Sequence, residues 1–158
     1  MSDFAFPEPD TEAAAEWHRT QAVKANNSTW DLLTKADRSS ADTEEMVHRA
    51  HAAAYHWARA ARRTPLNEVR ANYLVAKAWA AAGVAAPAQY YAQRCFDGTQ
   101  ALGLADFDLA YAHEVMARAL KVAGDEVGAA AHWTTAKAVP IANDEDRSIL
   151  ESDLADGP

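Results

Sequence analysis

Small side chains recur along this chain at intervals that packed helices explain. Ala54 and Ala61 recur as Ala88 and Cys95, and these recur again as Ala129 and Ala136. Ala58, Ala92 and Trp133 keep the same two offsets. Within each set the small residues stand seven apart, two turns along one helix face. The second offset exceeds the first by seven residues. An insertion of that length adds two turns to a helix and leaves its packing face in place. The helices before them repeat as well: Ala76, Trp79 and Gly83 are matched, at the longer offset, by Ala117, Leu120 and Gly124. A period between roughly 20 and 50 residues marks a stack of repeated units.

Composition agrees with an all-α chain. There are 39 alanines in 158 residues, against 6 glycines and 6 prolines. Alanine is the strongest helix former, and its methyl lets helix axes approach closely. Helical spacing and punctuation predict about seven helices. The first covers residues 11–35, with a break left open at Asn26-Asn27-Ser28, whose side chains compete for backbone hydrogen bonds. The second covers 43–63, capped by Asp42 with Glu45 three residues on. Thr64 and Pro65 start the third, which stops at Gly83. Pro87 opens the fourth, which stops at Gly103. Asp106 or Asp108 caps the fifth, which stops at Gly124. Asp125 caps the sixth, with Pro140 beyond its end. A last helix over 144–155 closes the stack with Ile149, Leu150 and Leu154. Connections this short make neighbouring helices antiparallel. Residues 1–10 read as a disordered tail and 11–155 as one domain.

Small residues seven apart on a second helix, a small residue on the first, a glycine turn and a trailing proline resemble the tetratricopeptide repeat. Residues 107–140 match best, through Ala117, Gly124, Ala129, Trp133, Ala136 and Pro140. Residues 69–96 match as a second unit, with Cys95 at the last small position. The run HAAAYHW followed by DFDLAYAHEVMARALKVAGD also resembles a group of bacterial repeat proteins. The resemblance implies an α-solenoid with a right-handed superhelix. In such proteins the first helix of each hairpin lines a concave groove that takes peptides or partner proteins.

Charge is unevenly spread. Residues 1–45 carry a net −6, residues 46–95 a net +6 and residues 96–158 a net −8. One account is intramolecular, a basic middle packed between acidic ends; the other is a basic surface for an acidic ligand. The acidic whole argues against general nucleic-acid binding. No apolar run is long enough to span a bilayer, and the first ten residues lack a signal peptide's basic and apolar regions. A single cysteine allows no internal disulfide and suits a reducing, cytoplasmic compartment.

Two candidate sites follow. The groove implied by the resemblance places Arg70, Tyr73 and Lys77 on one exposed stripe, and Tyr111, Glu114 and Arg118 on the equivalent stripe of the next unit, with Lys121 one turn on. Two tyrosines among four bases suit a segment that is acidic or carries a free carboxylate. The bland account is a solvated flank with Glu114 paired to Arg118. The second candidate is HRAHAAAYHW, residues 48–57. With Ala54 at the centre of its helix's buried face, His51 falls about 60° away, His48 about 120° and His56 about 160° on the other side. Three histidines so placed make no tripod, which leaves Glu44, His48 and His51 as a stripe for a metal or small molecule. Cys95, at a packing position, reads as an inert thiol, and no phosphate-loop, dinucleotide or nucleophile-elbow motif names a cofactor or a catalytic residue. The leading expectation is a non-enzymatic protein- or peptide-binding module; the others are a ligand-binding helical protein and a self-associating homodimeric unit.

Overall fold

In the computed structural model, residues 11–158 are described, and among them seven α-helices run in order with no strand. They are α1 (Glu12–Leu33), α2 (Ser40–Trp57), α3 (Pro65–Ala81), α4 (Ala85–Ala101), α5 (Asp106–Val122), α6 (Glu126–Ala138) and α7 (Asp144–Asp153). The predicted tail lies outside the described residues. Helices pack as successive hairpins, α1 with α2, α3 with α4 and α5 with α6, and α2–α3 and α4–α5 contacts join the hairpins. The first helices also meet one another, α1 with α3 and α3 with α5, while α7 leans on α5. No helix among the described residues is long and apolar enough to cross a membrane.

Several helix ends differ from expectation, each for a local reason. α1 is continuous through Asn26-Asn27-Ser28. The hydroxyls of Ser28 and Thr29 donate back to the Ala25 carbonyl, at 3.2 and 2.7 Å, and so leave the backbone ladder intact. α2 starts earlier, because Ser39 is its cap. Asp42, the third residue of the helix, closes the capping box, accepting the Ser39 N–H at 2.9 Å while its own N–H donates to the Ser39 hydroxyl at 3.1 Å. The helix ends at Trp57, not near residue 63. There the chain turns off, the Ala61 N–H donating to the Ala15 carbonyl at 2.9 Å, and Arg62 takes a left-handed φ of 53°. Ala61 therefore docks on α1 instead of extending the α2 seam. At α5 neither Asp106 nor Asp108 accepts the bond of a side-chain cap. Asp106 accepts from the N–H groups of Phe107 and Ala142, tying the start of α5 to the chain beyond α6. The expected caps Asp125 and Thr64, and Gly83, Gly103 and Gly124 at positive φ, stand where predicted.

The core is a row of three clusters. Met46, Ala50, Ala53, Leu74 and Ala78 fill the α2–α3 contact. Ala76, Ala88, Ala92, Cys95, Ala112 and Ala119 fill the α3–α4–α5 contact. Ala117, Trp133, Ala136, Leu150 and Leu154 close the far end, so α7 caps the stack as predicted, although Ile149 stays exposed. The alanines mark where helix axes come closest. On α2 the buried face centres one residue before Ala54, on Ala50 and Ala53, because the helix is wedged between α1 and α3. Ion pairs join the basic middle to the acidic ends: Arg62 to Glu16, Arg70 to Asp108 and Lys77 to Glu114.

Candidate functional site

Direct contact between α3 and α5 changes what the two predicted stripes are. They were expected side by side on an exposed surface; the structure turns their inner members toward each other. Glu114 and Tyr111 are buried, Tyr73, Lys77 and Arg118 are partly buried, and Arg70 and Lys121 are exposed. Alanines at the α3–α5 seam bring the backbones close enough for side chains 37 and 41 positions apart to bond.

Glu114 sits at the centre with no solvent exposure. Its carboxylate accepts from Lys77 Nζ at 2.9 Å, from the Tyr73 hydroxyl at 3.1 Å and from Arg118 Nε. Lys77 Nζ also donates to the Tyr73 hydroxyl at 2.9 Å. Burial, and then the nearby Glu114 charge, push the Tyr73 phenol well above its usual range, so it stays a donor. Aromatic faces surround the ammonium: Trp30 and Tyr73 centroids lie 5.4 Å from Nζ and Tyr111 lies 5.9 Å away. The expected Glu114–Arg118 pair exists, but as part of this buried network and not as a solvated flank.

The remaining members are also engaged. Arg70 grips Asp108 through two bonds of 2.9 and 3.0 Å. Tyr111 donates to the Asp153 carboxylate of α7 at 2.5 Å, and Arg118 reaches the Asp153 carbonyl at 3.4 Å. Burial and the Asp153 bond raise the Tyr111 phenol. Lys121 pairs with Glu126 at 2.6 Å, in the open.

Two hollows open on this face. One, of about 390 Å³, is walled by Trp30, Tyr73, Phe107, Tyr111 and Ile149, with Asn26, Arg70, Asp108 and Asp153 among its polar lining. The other, of about 480 Å³, is lined by Arg38, Lys77, Arg118 and Lys121, with Asp153 as its carboxylate. Trp30 and Asp153 line both, so the aromatic hollow and the basic one are neighbours. Sequence reasoning missed Trp30, Arg38, Phe107 and Asp153 as members. Trp30 and Phe107 carried an apolar signal; nothing local marked Arg38, which donates to the Leu32 and Leu33 carbonyls at the end of α1, or Asp153, whose place depends on how α7 docks.

The histidine stripe is not gathered. Glu44 and His48 are exposed, and His51 is partly buried. His51 Nε2 accepts from the Trp79 indole N–H at 3.0 Å, and its ring packs edgewise on Trp79 and Tyr91. Among the described residues no group of three or more His, Cys, Asp or Glu is arranged to hold a metal ion. His56, expected to point outward, instead faces His18 of α1, with the two Nδ1 atoms 2.7 Å apart. Cys95 is buried, and burial pushes its thiol up to about 12, far from a reactive thiolate. Comparison of the chain with protein-family models, with curated proteins and with solved structures finds no match in any of the three.

Proposed function

We propose that this protein is a non-enzymatic binding module of tetratricopeptide-repeat-like construction that holds an acidic segment of a protein partner across the α1–α3–α5 face. One observation carries the reading: an aromatic hollow adjoins, at Trp30 and Asp153, a hollow lined by four cationic side chains and one acidic side chain. Lys77 and Arg118 share the single buried Glu114 and Lys121 pairs with Glu126, so with Arg38 four cationic side chains stand against three acidic ones, Asp153 included, and one positive charge is left over for a ligand. An apolar side chain fits the aromatic hollow, and a neighbouring carboxylate gains charge-assisted bonds in the basic one. The chain's own Asp153 lines both hollows, and its carboxylate accepts from the Tyr111 hydroxyl on the aromatic side. The face is short, three helices wide, so a lone peptide binds at micromolar strength or weaker.

The test is fluorescence anisotropy with a panel of synthetic peptides, acidic, neutral and basic, each with and without an aliphatic anchor. Acidic anchored peptides bind best, and Arg38→Glu combined with Lys121→Glu removes that preference while circular dichroism stays unchanged. Equal binding of basic and acidic peptides, or binding untouched by the charge reversals, sinks the reading.

A further inference from the structure

Four histidines are paired across hairpin seams. His18 of α1 meets His56 of α2 with Nδ1 atoms 2.7 Å apart, and His113 of α5 meets His132 of α6 at 2.9 Å. The ring planes cross at 42° and 38°, with centroids 4.9 and 5.0 Å apart. In each case one further ring packs edgewise against both members: Trp17 at 5.1 and 5.3 Å, Phe96 at 5.1 and 5.7 Å. A histidine pair with a third ring against both members thus recurs in the first and third hairpins, and in the first Tyr55 also packs on both, 5.3 Å from His56 and 6.0 Å from His18.

Each pair holds one N–H···N bond, in which one Nδ1 donates and the other accepts. The accepting Nδ1 carries no proton, so each pair presents one unprotonated lone pair at the seam between its two helices. Neutral imidazole is the form that ligates metals.

The hydrogen bond already sets the two nitrogens at a spacing that an ion can bridge. Two nitrogens bound at about 2.0 Å lie roughly 2.8 Å apart when cis at a right angle, roughly 3.3 Å on a tetrahedral edge and about 4 Å when opposite. The observed 2.7 and 2.9 Å match the cis edge. Tetragonal nitrogen and oxygen coordination suits Cu²⁺ or Ni²⁺, and Cu²⁺ binds such donors most tightly of the divalent series. All four histidines are partly exposed, which leaves water access to the remaining positions.

We propose that His18 with His56, and His113 with His132, form two equivalent chelating sites for Cu²⁺, each supplying two Nδ1 ligands and completed by water. On binding, the bridging proton passes through solvent from Nδ1 to Nε2 of its own ring, so both imidazoles stay neutral and no net proton is released. Small ring rotations aim both lone pairs at the ion. Because each site links the two helices of one hairpin, a bound ion tightens that hairpin.

Equilibrium dialysis of untagged protein against copper sulfate at pH 7.5, followed by electron paramagnetic resonance, tests this. Wild type takes up two equivalents and shows an axial spectrum split by two nitrogens per ion. His18→Phe and His56→Phe each leave one equivalent, as do His113→Phe and His132→Phe; phenylalanine keeps the ring packing and removes the nitrogen. The double variant His56→Phe/His132→Phe takes up none, although His48 and His51 are intact. Its melting temperature no longer rises with copper, whereas that of wild type does. No uptake by wild type, a spectrum without nitrogen coupling, or undiminished uptake by the double variant overturns the proposal. Should a substitution unfold the chain, the wild-type spectrum decides alone.

Discussion

Glu114 has no solvent exposure and is met by two cations and a phenol, whereas the paired histidines at the hairpin seams are partly exposed and meet each other and aromatic rings. The first assembly joins two hairpins through α3 and α5; the second lies within single hairpins. A buried carboxylate between helices is tolerated only when every oxygen is paired, and removing one partner leaves uncompensated charge. An imidazole pair at the edge pairs without charge and retains access to solvent. Depth therefore separates polar groups that lock the stack from polar groups free to take a proton or an ion. The deep assembly is also the floor of the candidate site, so stability and binding are coupled there.

The largest effect should come from breaking the deep assembly. Glu114→Ala removes the shared acceptor of Lys77, Arg118 and Tyr73. A loss of about 3 kcal/mol is expected from breaking a buried ion pair on one side, moderated because Arg118 retains some solvent. Chemical denaturation measures it. Glu114→Gln keeps the shape and one acceptor oxygen for Lys77 and Arg118, loses the oxygen that accepts from Tyr73, and should cost less. Equal, small losses for both would mean that the carboxylate does not hold α3 to α5.

Second in size is a packing change that contains no charge. Ala129 is 1% exposed and faces α5 across the third hairpin. Ala129→Leu overfills that contact at a cost of about 1–3 kcal/mol. The substitution should also disturb the neighbouring His113–His132 pair, which chemical shifts of the two rings would report. The reverse, a neutral or stabilised variant, would show a looser α5–α6 seam than the alanine repeat implies.

The histidine pairs give a smaller, pH-dependent effect. His56, His113 and His132 have folded values below the usual 6.5, so in mild acid the unfolded chain binds more protons than the folded one. Their contribution is complete above that value and falls as pH drops through the folded values. The denaturation midpoint should therefore decline as pH falls below 6.5, and His56→Phe/His132→Phe should flatten the decline. Asp42, held to about 2 by its bonds to Lys35 and Ser39, acts only at much lower pH, so the two windows separate. A midpoint that stays level down to pH 5, or one that declines equally in the double variant, would remove the histidines from the account.

The fold was legible because its signals are local and repeated. Alanines at fixed offsets, Gly83, Gly103 and Gly124 after helix ends, and Pro65 in a first turn each act within a few residues. Helix ends were less legible where two caps competed, as Ser39 did with Asp42, or where a distant group intervened, as the Ala15 carbonyl did at Ala61. The candidate site was half legible. The resemblance, with period and spacing, named Tyr73, Lys77, Tyr111, Glu114 and Arg118 together, yet helical angles on one helix cannot say how near a neighbouring helix stands. That nearness is what buries Glu114. The pairing of His18 with His56, far apart in the chain, has no signature in either local stretch, and it appears only when α1 lies on α2.

The smallest stability effect is expected at Lys121, and it separates binding from folding. Lys121 lines the basic hollow beside Lys77 and Arg118, but its own partner, Glu126, is exposed, and both side chains retain much of their solvent. An exposed pair of this kind contributes less than about 0.5 kcal/mol. Lys121→Ala should therefore leave the denaturation midpoint almost unchanged while weakening capture of an acidic anchored peptide. Lys77→Ala, by contrast, should lower both, because it strips Glu114 of an ion-pair partner as well as the hollow of a cation. Measuring midpoint and peptide affinity for the two variants side by side decides whether the face has a binding layer above its structural one. If Lys121→Ala lowered stability by more than about 1 kcal/mol, beyond the range of exposed pairs, or left peptide capture intact, the distinction between a locking floor and a free rim would fail.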